Sequence, residues 1–292
     1  MSLIREALKK QRSTLSDSSL RTYSSVLSNC YKIVYPTDDD IDIKKFNNDS
    51  AFMKVIKDML HPATLLAALT VLTQNKIYQT EMNKKIQEHK SNEKNQSKNE
   101  KQEENMISKD EVKTVVNKLS FQANHIYKME DKSPKAMNTL VNYILLCLSC
   151  GIYTTPRRSL DWTEMKFRNK DDEQNFYDSK GGLFIFNKYK TAKVYNQQTE
   201  TVPPELKKIL NKWCKYNNDS DYLLFNTKGE KLTSPNIATR LNEIFNKKIS
   251  TSMLRHIYIS DKFKDMPSLN ELQETATALG NSIPQMIEYI KK

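Results

Sequence analysis

Between residues 81 and 105 runs EMNKKIQEHKSNEKNQSKNEKQEEN, a stretch almost without apolar side chains. Such a segment has nothing to bury, so it separates the apolar regions on either side of it. Two domains are therefore expected, residues 1–80 and 106–292, joined by 81–105 as a charged, low-complexity linker. The linker's six Lys balance its six Glu, and it lacks Pro and Gly. That composition suits a solvated helix as well as a disordered tether. A chain of 292 residues is long enough for two ordinary cores.

The linker contributes nothing to the net charge of +11, so the basic excess belongs to the folded parts. An excess of this kind selects polyanionic partners, nucleic acid foremost. The competing origin is a lysine-rich proteome, since Lys, Asn and Ile abound and only 5 residues are Gly. The apolar run LVNYILLCLSCGIY is broken by polar residues and falls short of the roughly 20 residues a membrane span needs, so no membrane partner is expected. MSLIREALKK carries no apolar signal core. The 4 cysteines form no disulfide framework, and CLSC at 147–150 has neither a second CxxC nor a nearby His. Cys147 and Cys150 therefore read as helical core residues. The expectation is an intracellular protein of the cytoplasm or nucleus, not a secreted one.

The secondary structure reads as mainly helical with one small β element. In SDSSLRTYSSVLSNCYKIVY, N-cap residues precede Leu20, Tyr23, Leu27 and Tyr31 at spacings of three and four. Two more N-terminal helices are expected, one over NDSAFMKVIKDML and one over PATLLAALTVLTQNKIYQ, the latter starting at Pro62 after His61. After residue 106, SKDEVKTVVNKL starts a helix with a Ser cap and early acids. SPKAMNTLVNYILLCLSCGIY reads as a buried helix. GGLFIFNKYKTAKVYNQQTETVP, residues 181–203, is rich in β-branched and aromatic residues around a polar centre. It reads as a β-hairpin projecting Lys188, Lys190 and Lys193. Helices resume in PPELKKILNKWCKYN, SPNIATRLNEIFNKK and TSMLRHIYISDKF.

Four places carry candidate chemistry. In YTTPRRSLDW, Thr155 and Pro156 read as N-cap and first helical residue. Arg157 and Arg158 would then lie in a first turn, where orphan N–H groups favour an anion. Asp161, three residues past Arg158, would orient that arginine; the bland reading is a surface Arg pair with a local salt bridge. In STSMLRHIYIS, the apolar face of Leu254, Ile257 and Tyr258 sets Arg255 beside packed surface, where a guanidinium needs an anionic partner. His256 alone reads as structural. Lys190 at the hairpin tip reads as a solvated edge residue. Tyr289, near the end of ALGNSIPQMIEYIKK, reads alone as a packing group.

Their order along the chain resembles the tyrosine recombinase (integrase) family. The resemblance is carried by RSLD at Arg158, YKTA at Lys190, LRH at 254–256 and LGNS…Y at 279–289. It covers about residues 110–292, and the N-terminal helices match a core-binding domain by position and helicity only. PRR and FNKYKT look most like recombinases of eukaryotic DNA viruses and mobile elements. Arg158 is preferred to Arg157 because Asp161 then falls where the family usually has Glu. In two places the sequence departs from the family. Ser252 stands where His or Lys is common, and Asn281 where His or Trp is common. Both can hydrogen-bond a phosphate oxygen, but neither serves as a general base.

The resemblance implies a helical core-binding domain and a catalytic domain that is mainly α with a small sheet. It implies cutting and rejoining of duplex DNA through a 3′-phosphotyrosyl intermediate. Tyr289 would be the nucleophile, Arg158 and Arg255 would stabilise the transition state, and Lys190 would be the general acid. Ser252, His256 and Asn281 would support the phosphate or the arginines. No cofactor and no metal is expected, and no His/Cys or carboxylate cluster at ligand spacing is evident. The implied partners are duplex DNA and further copies of the chain, as a tetramer on DNA. Only Ile290, Lys291 and Lys292 follow Tyr289, so no long exchanged C-terminal segment is expected. Two alternatives stay open, a type IB topoisomerase-like enzyme and a catalytically degenerate DNA-binding protein of the same fold.

Overall fold

The computed structural model describes residues 2–59, 62–94, 98–171, 173–264, 267 and 269–290. His61, residues 95–97 of the charged stretch, Lys291 and Lys292 thus lie outside the described residues. The chain divides into two compact units, residues 1–95 and 96–292.

The described part of the first unit is helical: α1 (Ser2–Gln11), α2 (Asp17–Val34), a 3-10 turn (Ile43–Asn47), α3 (Asp49–Lys57), α4 (Ala63–Thr73) and α5 (Lys76–Lys94). The Ser16 side chain caps α2 by accepting from the Ser19 amide. Leu20, Leu27 and Tyr31 from α2 are buried with Phe46, Phe52, Leu66, Leu69 and Tyr78, and Tyr23 packs on their margin. Tyr78 Oη donates to the Phe46 carbonyl at 3.0 Å, tying α5 to the 3-10 turn. The one helix expected over residues 62–79 is two. Gln74 takes the left-handed conformation at φ 57° and closes α4. Asn75 Oδ1 then accepts from the Ile77 amide at 2.9 Å and starts α5. A side chain that bonds nearby backbone competes with the helical ladder, and here it does so within the polar run of residues 73–76.

The charged stretch is helical over residues 81–94 and 100–105, and Lys98 and Asn99 are not helical. α5 runs into it, and α6 (Glu100–Asn105) ends it behind a capping box of Asn99 and Gln102. Asn105 is buried, and its Oδ1 accepts from the Lys248 amide at 2.9 Å.

The rest of the second unit follows as α7 (Lys109–Met129), α8 (Pro134–Ser149), α9 (Ser159–Thr163), β1 (Met165–Lys166), β2 (Asn175–Asp178), β3 (Leu183–Phe186), α10 (Ala192–Tyr195), β4 (Gln198–Thr201), α11 (Pro204–Tyr216), α12 (Ser234–Phe245), α13 (Thr251–Lys262), α14 (Leu269–Ala278) and α15 (Ile283–Ile287). Ser108 and Glu111 start α7 with a reciprocal capping box. α8 is the central core helix, buried throughout Tyr143–Ser149. Cys147 and Cys150 are buried there as free thiols.

The sheet has the order β1-β2-β3-β4, with β1 and β2 parallel and the other two pairs antiparallel. Only the β3–β4 hairpin is legible in the sequence, because NFYD in β2 and MK in β1 are too short and polar to signal a strand. The hairpin pairs Leu183 with Thr201 and Phe186 with Gln198. Its second strand starts at Gln198 rather than Val194. Residues 192–195 instead form the single helical turn of α10, leaving Val194 and Tyr195 exposed. Lys188, Lys190 and Lys193 are exposed in this connection. Trp162 of α9 is fully buried and meets the edges of Phe184 and Phe186 at centroid distances of 5.3 and 5.6 Å. That contact fixes α9, and the arginines before it, against the sheet.

A smaller core joins α13, α14 and α15. Ile259, Phe263, Ala276, Leu279 and Met286 are buried in it, with Tyr289 at its edge. No helix of the described residues is long and apolar enough to cross a membrane.

Candidate active site

The segment Thr155–Arg158 is not the start of a helix. α9 begins at Ser159, and Arg158 is its N-cap residue in extended conformation (φ −70°, ψ 152°) without a side-chain cap. The reason lies in the side chains. A helix turns successive residues by about 100°, whereas extended backbone sends neighbours to opposite sides. Extension therefore separates the two arginines, one into the interior and one towards the turn at Gly280 and Asn281.

Arg157 is the inward one, at 1% exposure. Its Nε donates to Asp161 Oδ2 at 2.9 Å, its Nη1 to Glu200 Oε1 and to the Ala278 carbonyl, and its Nη2 to Gln198 Oε1 at 2.8 Å. Asp161, expected from its spacing to orient Arg158, thus pairs with Arg157. Burial pushes the Asp161 and Glu200 carboxyls above their usual range, and the charge of Arg157 opposes that shift.

Arg158 points to the turn after α14. Its Nη2 donates to Asn281 Oδ1 at 2.7 Å and its Nη1 reaches the Gly280 carbonyl at 3.5 Å. Gly280 has φ +66°, a conformation side-chain-bearing residues seldom adopt, and this bends the chain so that Asn281 faces back.

Arg255 lies on α13 at 2% exposure, on the apolar face that Leu254 and Ile257 bury. Its Nη1 donates to Tyr289 Oη at 3.1 Å, and its Nη2 donates to the Leu279 carbonyl at 3.4 Å. The guanidinium also stacks over the Tyr289 ring, 4.6 Å from the centroid. Burial pulls the Arg255 pKa below the usual arginine value; the Tyr289 phenol opposes that shift, and the nearby positive charge of Arg158 adds to it. The neighbouring His256 contacts the Tyr289 backbone carbonyl through Nδ1 at 2.8 Å. A carbonyl only accepts, so that nitrogen carries the proton. The imidazole also meets the Tyr289 ring edge-on at 4.8 Å.

Five of the seven residues singled out in the sequence therefore converge: Arg158, Arg255, His256, Asn281 and Tyr289. The other two do not join them. Lys190 and Ser252 are exposed, and no hydrogen bond or ion pair among the described residues links either to the rest. Sequence reasoning missed Gln198 and Glu200. Their one signal is the two-residue spacing that places both on one face of β4.

The charge balance of this cluster is unusual. Asp161 and Glu200 are taken up by Arg157, and no described carboxylate pairs with Arg158 or Arg255. Two donors are also buried without a partner, Arg255 Nε and Asn281 Nδ2. Unpaired buried donors are costly, and these two lie on residues that touch Tyr289 or Arg158. The arrangement fits a tetrahedral oxyanion placed against the tyrosine hydroxyl. Among the described residues, no group of three or more His, Cys, Asp or Glu is arranged to hold a metal ion.

Solved structures share this architecture. The lambda integrase dimer bound to a COC′ core site matches over 98% of this chain and 93% of its own, with TM-score 0.50 and 16% identity. The XerH site-specific recombinase bound to its difH substrate before cleavage matches over 94% and 75%, with TM-score 0.53 and 16% identity. The fold is that of the tyrosine recombinases. The XerH post-cleavage complex on palindromic difH agrees, at TM-score 0.50 and 17% identity over 92% of this chain and 75% of that one. No protein-family model matches the sequence, and no curated protein does.

Proposed function

We propose that this chain is a site-specific DNA recombinase that cuts and rejoins duplex DNA through a 3′-phosphotyrosyl intermediate. The observation that carries the reading is the pair of arginines gathered at the tyrosine without a direct carboxylate partner. Arg255 hydrogen-bonds Tyr289 Oη, Arg158 stands beside it, and neither has a carboxylate partner among the described residues. A buried guanidinium calls for an anion, and a backbone phosphate supplies one at the place where a hydroxyl nucleophile waits.

In this reading Tyr289 Oη gives up its proton to solvent and attacks the phosphorus, and the bond to the 5′ oxygen breaks. Arg158 and Arg255 hold the equatorial oxygens, where negative charge grows in the transition state. Asn281 keeps Arg158 in place and offers its free amide N–H to the phosphate. His256 fixes the tyrosine backbone. Lys190, exposed on the hairpin, delivers the proton that the leaving 5′ oxygen needs. The phosphodiester energy is kept in the tyrosyl bond, so rejoining needs no nucleotide cofactor. The DNA-bound recombinases of the same fold support duplex DNA as partner, and a tetramer on DNA is the assembly we infer. The viral or mobile-element origin suggested by PRR and FNKYKT belongs to the same proposal.

The test is covalent trapping on a pool of nicked duplexes with randomised cores. Wild-type protein is expected to yield a denaturant-resistant adduct, and the trapped DNA to converge on one sequence. Trapping with no sequence preference, together with relaxation of supercoiled plasmid, would favour a topoisomerase. Tight DNA binding with no adduct would overturn the catalytic reading.

A further inference from the structure

Arg157 has no part in the chemistry just described, yet it is the more deeply buried of the two neighbouring arginines. A guanidinium at 1% exposure is tolerated only with its donors paired. Its four hydrogen bonds go to Asp161, Gln198, Glu200 and the Ala278 carbonyl. Its flat face lies 4.0 Å from the Phe186 ring centroid. Two carboxylates from separate elements thus converge on this one cation.

The acceptors sit on three separate segments, and each segment carries or adjoins a residue of the proposed site. Asp161 is in α9, whose N-cap is Arg158. Gln198 and Glu200 are in β4, the strand that returns from the connection bearing Lys190. Ala278 ends α14. Directly after it come Leu279, whose carbonyl accepts from Arg255, and Gly280 and Asn281, which hold Arg158. We infer that Arg157 is a positioning residue. One buried guanidinium sets the Arg158 segment, the lysine hairpin and the 278–281 turn against one another without touching DNA. The inference rests on reading the cluster as a phosphoryl-transfer site.

It is tested with full-length Arg157→Lys. Lysine keeps the charge, but a single ammonium cannot reach four acceptors arranged around a planar fork. Hydrogen–deuterium exchange is expected to quicken in peptides covering 198–201 and 278–282 and to stay unchanged in α2 and α7. Adduct formation on nicked DNA is expected to slow by about tenfold or more, with DNA affinity within about twofold of wild type, because displaced groups cost rate before they cost binding. Glu200→Ala gives a second reading at a side chain that is 21% exposed, so it removes one anchor without emptying the core. The same two segments should loosen in it, by less. Unchanged exchange in both segments, a uniform rise across residues 96–292, or a wild-type adduct rate would each overturn the inference. Failure of the wild type itself to form an adduct would overturn the proposed function alone, and the exchange pattern would still decide the positioning role.

Discussion

Tyr289→Phe is expected to bind DNA as the wild type does and to form no covalent adduct. Phenylalanine keeps the ring, and with it the stacking against Arg255 and the edge contact with His256. The bond from His256 goes to the backbone carbonyl of residue 289 and survives as well. Only the hydroxyl is lost, and with it the acceptor for Arg255 Nη1. The substitution thus removes the nucleophile and little else, so gel-shift affinity and thermal stability should stay near wild type while adduct yield falls to background.

Arg255→Lys is expected to slow adduct formation by ~10²–10³, about 3–4 kcal/mol of transition-state stabilisation, the usual worth of one preorganised donor. An ammonium at this position cannot bond the Tyr289 hydroxyl and the Leu279 carbonyl while also presenting a donor in place of Nε. Arg255→Ala should be at least as slow and should also bind DNA more weakly. It removes a cation, so the slope of log affinity against log salt should fall by about 0.9 if that cation meets a phosphate. Lysine should leave the slope unchanged. Single-turnover rates on nicked DNA, with affinities at several salt concentrations, separate the two variants.

Most of the helices could be read from local signals that the structure also uses. Ser16 caps α2 and Ser108 with Glu111 boxes the start of α7, and neither depends on distant residues. The misreadings share an opposite cause. Thr155–Arg158 carries a helix-start signal, but the four partners of Arg157 lie on α9, β4 and the end of α14. Those hydrogen bonds hold the segment extended against its local preference. The α4–α5 break turns on left-handed Gln74 and the Asn75 side chain, within the short polar run of residues 73–76. β1 and β2 exist because β3 and each other complete their ladders, which a two- or four-residue stretch cannot announce.

The candidate site was legible as an order of residue types, and the geometry adds contacts that order alone does not contain. Arg255, His256 and Tyr289 meet through hydrogen bonds that bring α13 to the residues after α15. Asn281 stands where the family commonly has His or Trp, and here its amide holds Arg158 with one oxygen and keeps a donor unpaired. Ser252 could be placed by spacing, but α13 buries Thr251, Met253, Leu254 and Arg255 around it and leaves Ser252 exposed.

The most direct measurement is the chemical identity of the protein–DNA linkage. Trapped adduct would be digested with protease and nuclease, and the nucleotide-bearing peptide sequenced by mass spectrometry. The expected product is a 3′-phosphate joined to the peptide that contains Tyr289, with a free 5′-hydroxyl on the released strand. A linkage to any other residue, or through a 5′-phosphate, would contradict the assignment of Tyr289 as the nucleophile.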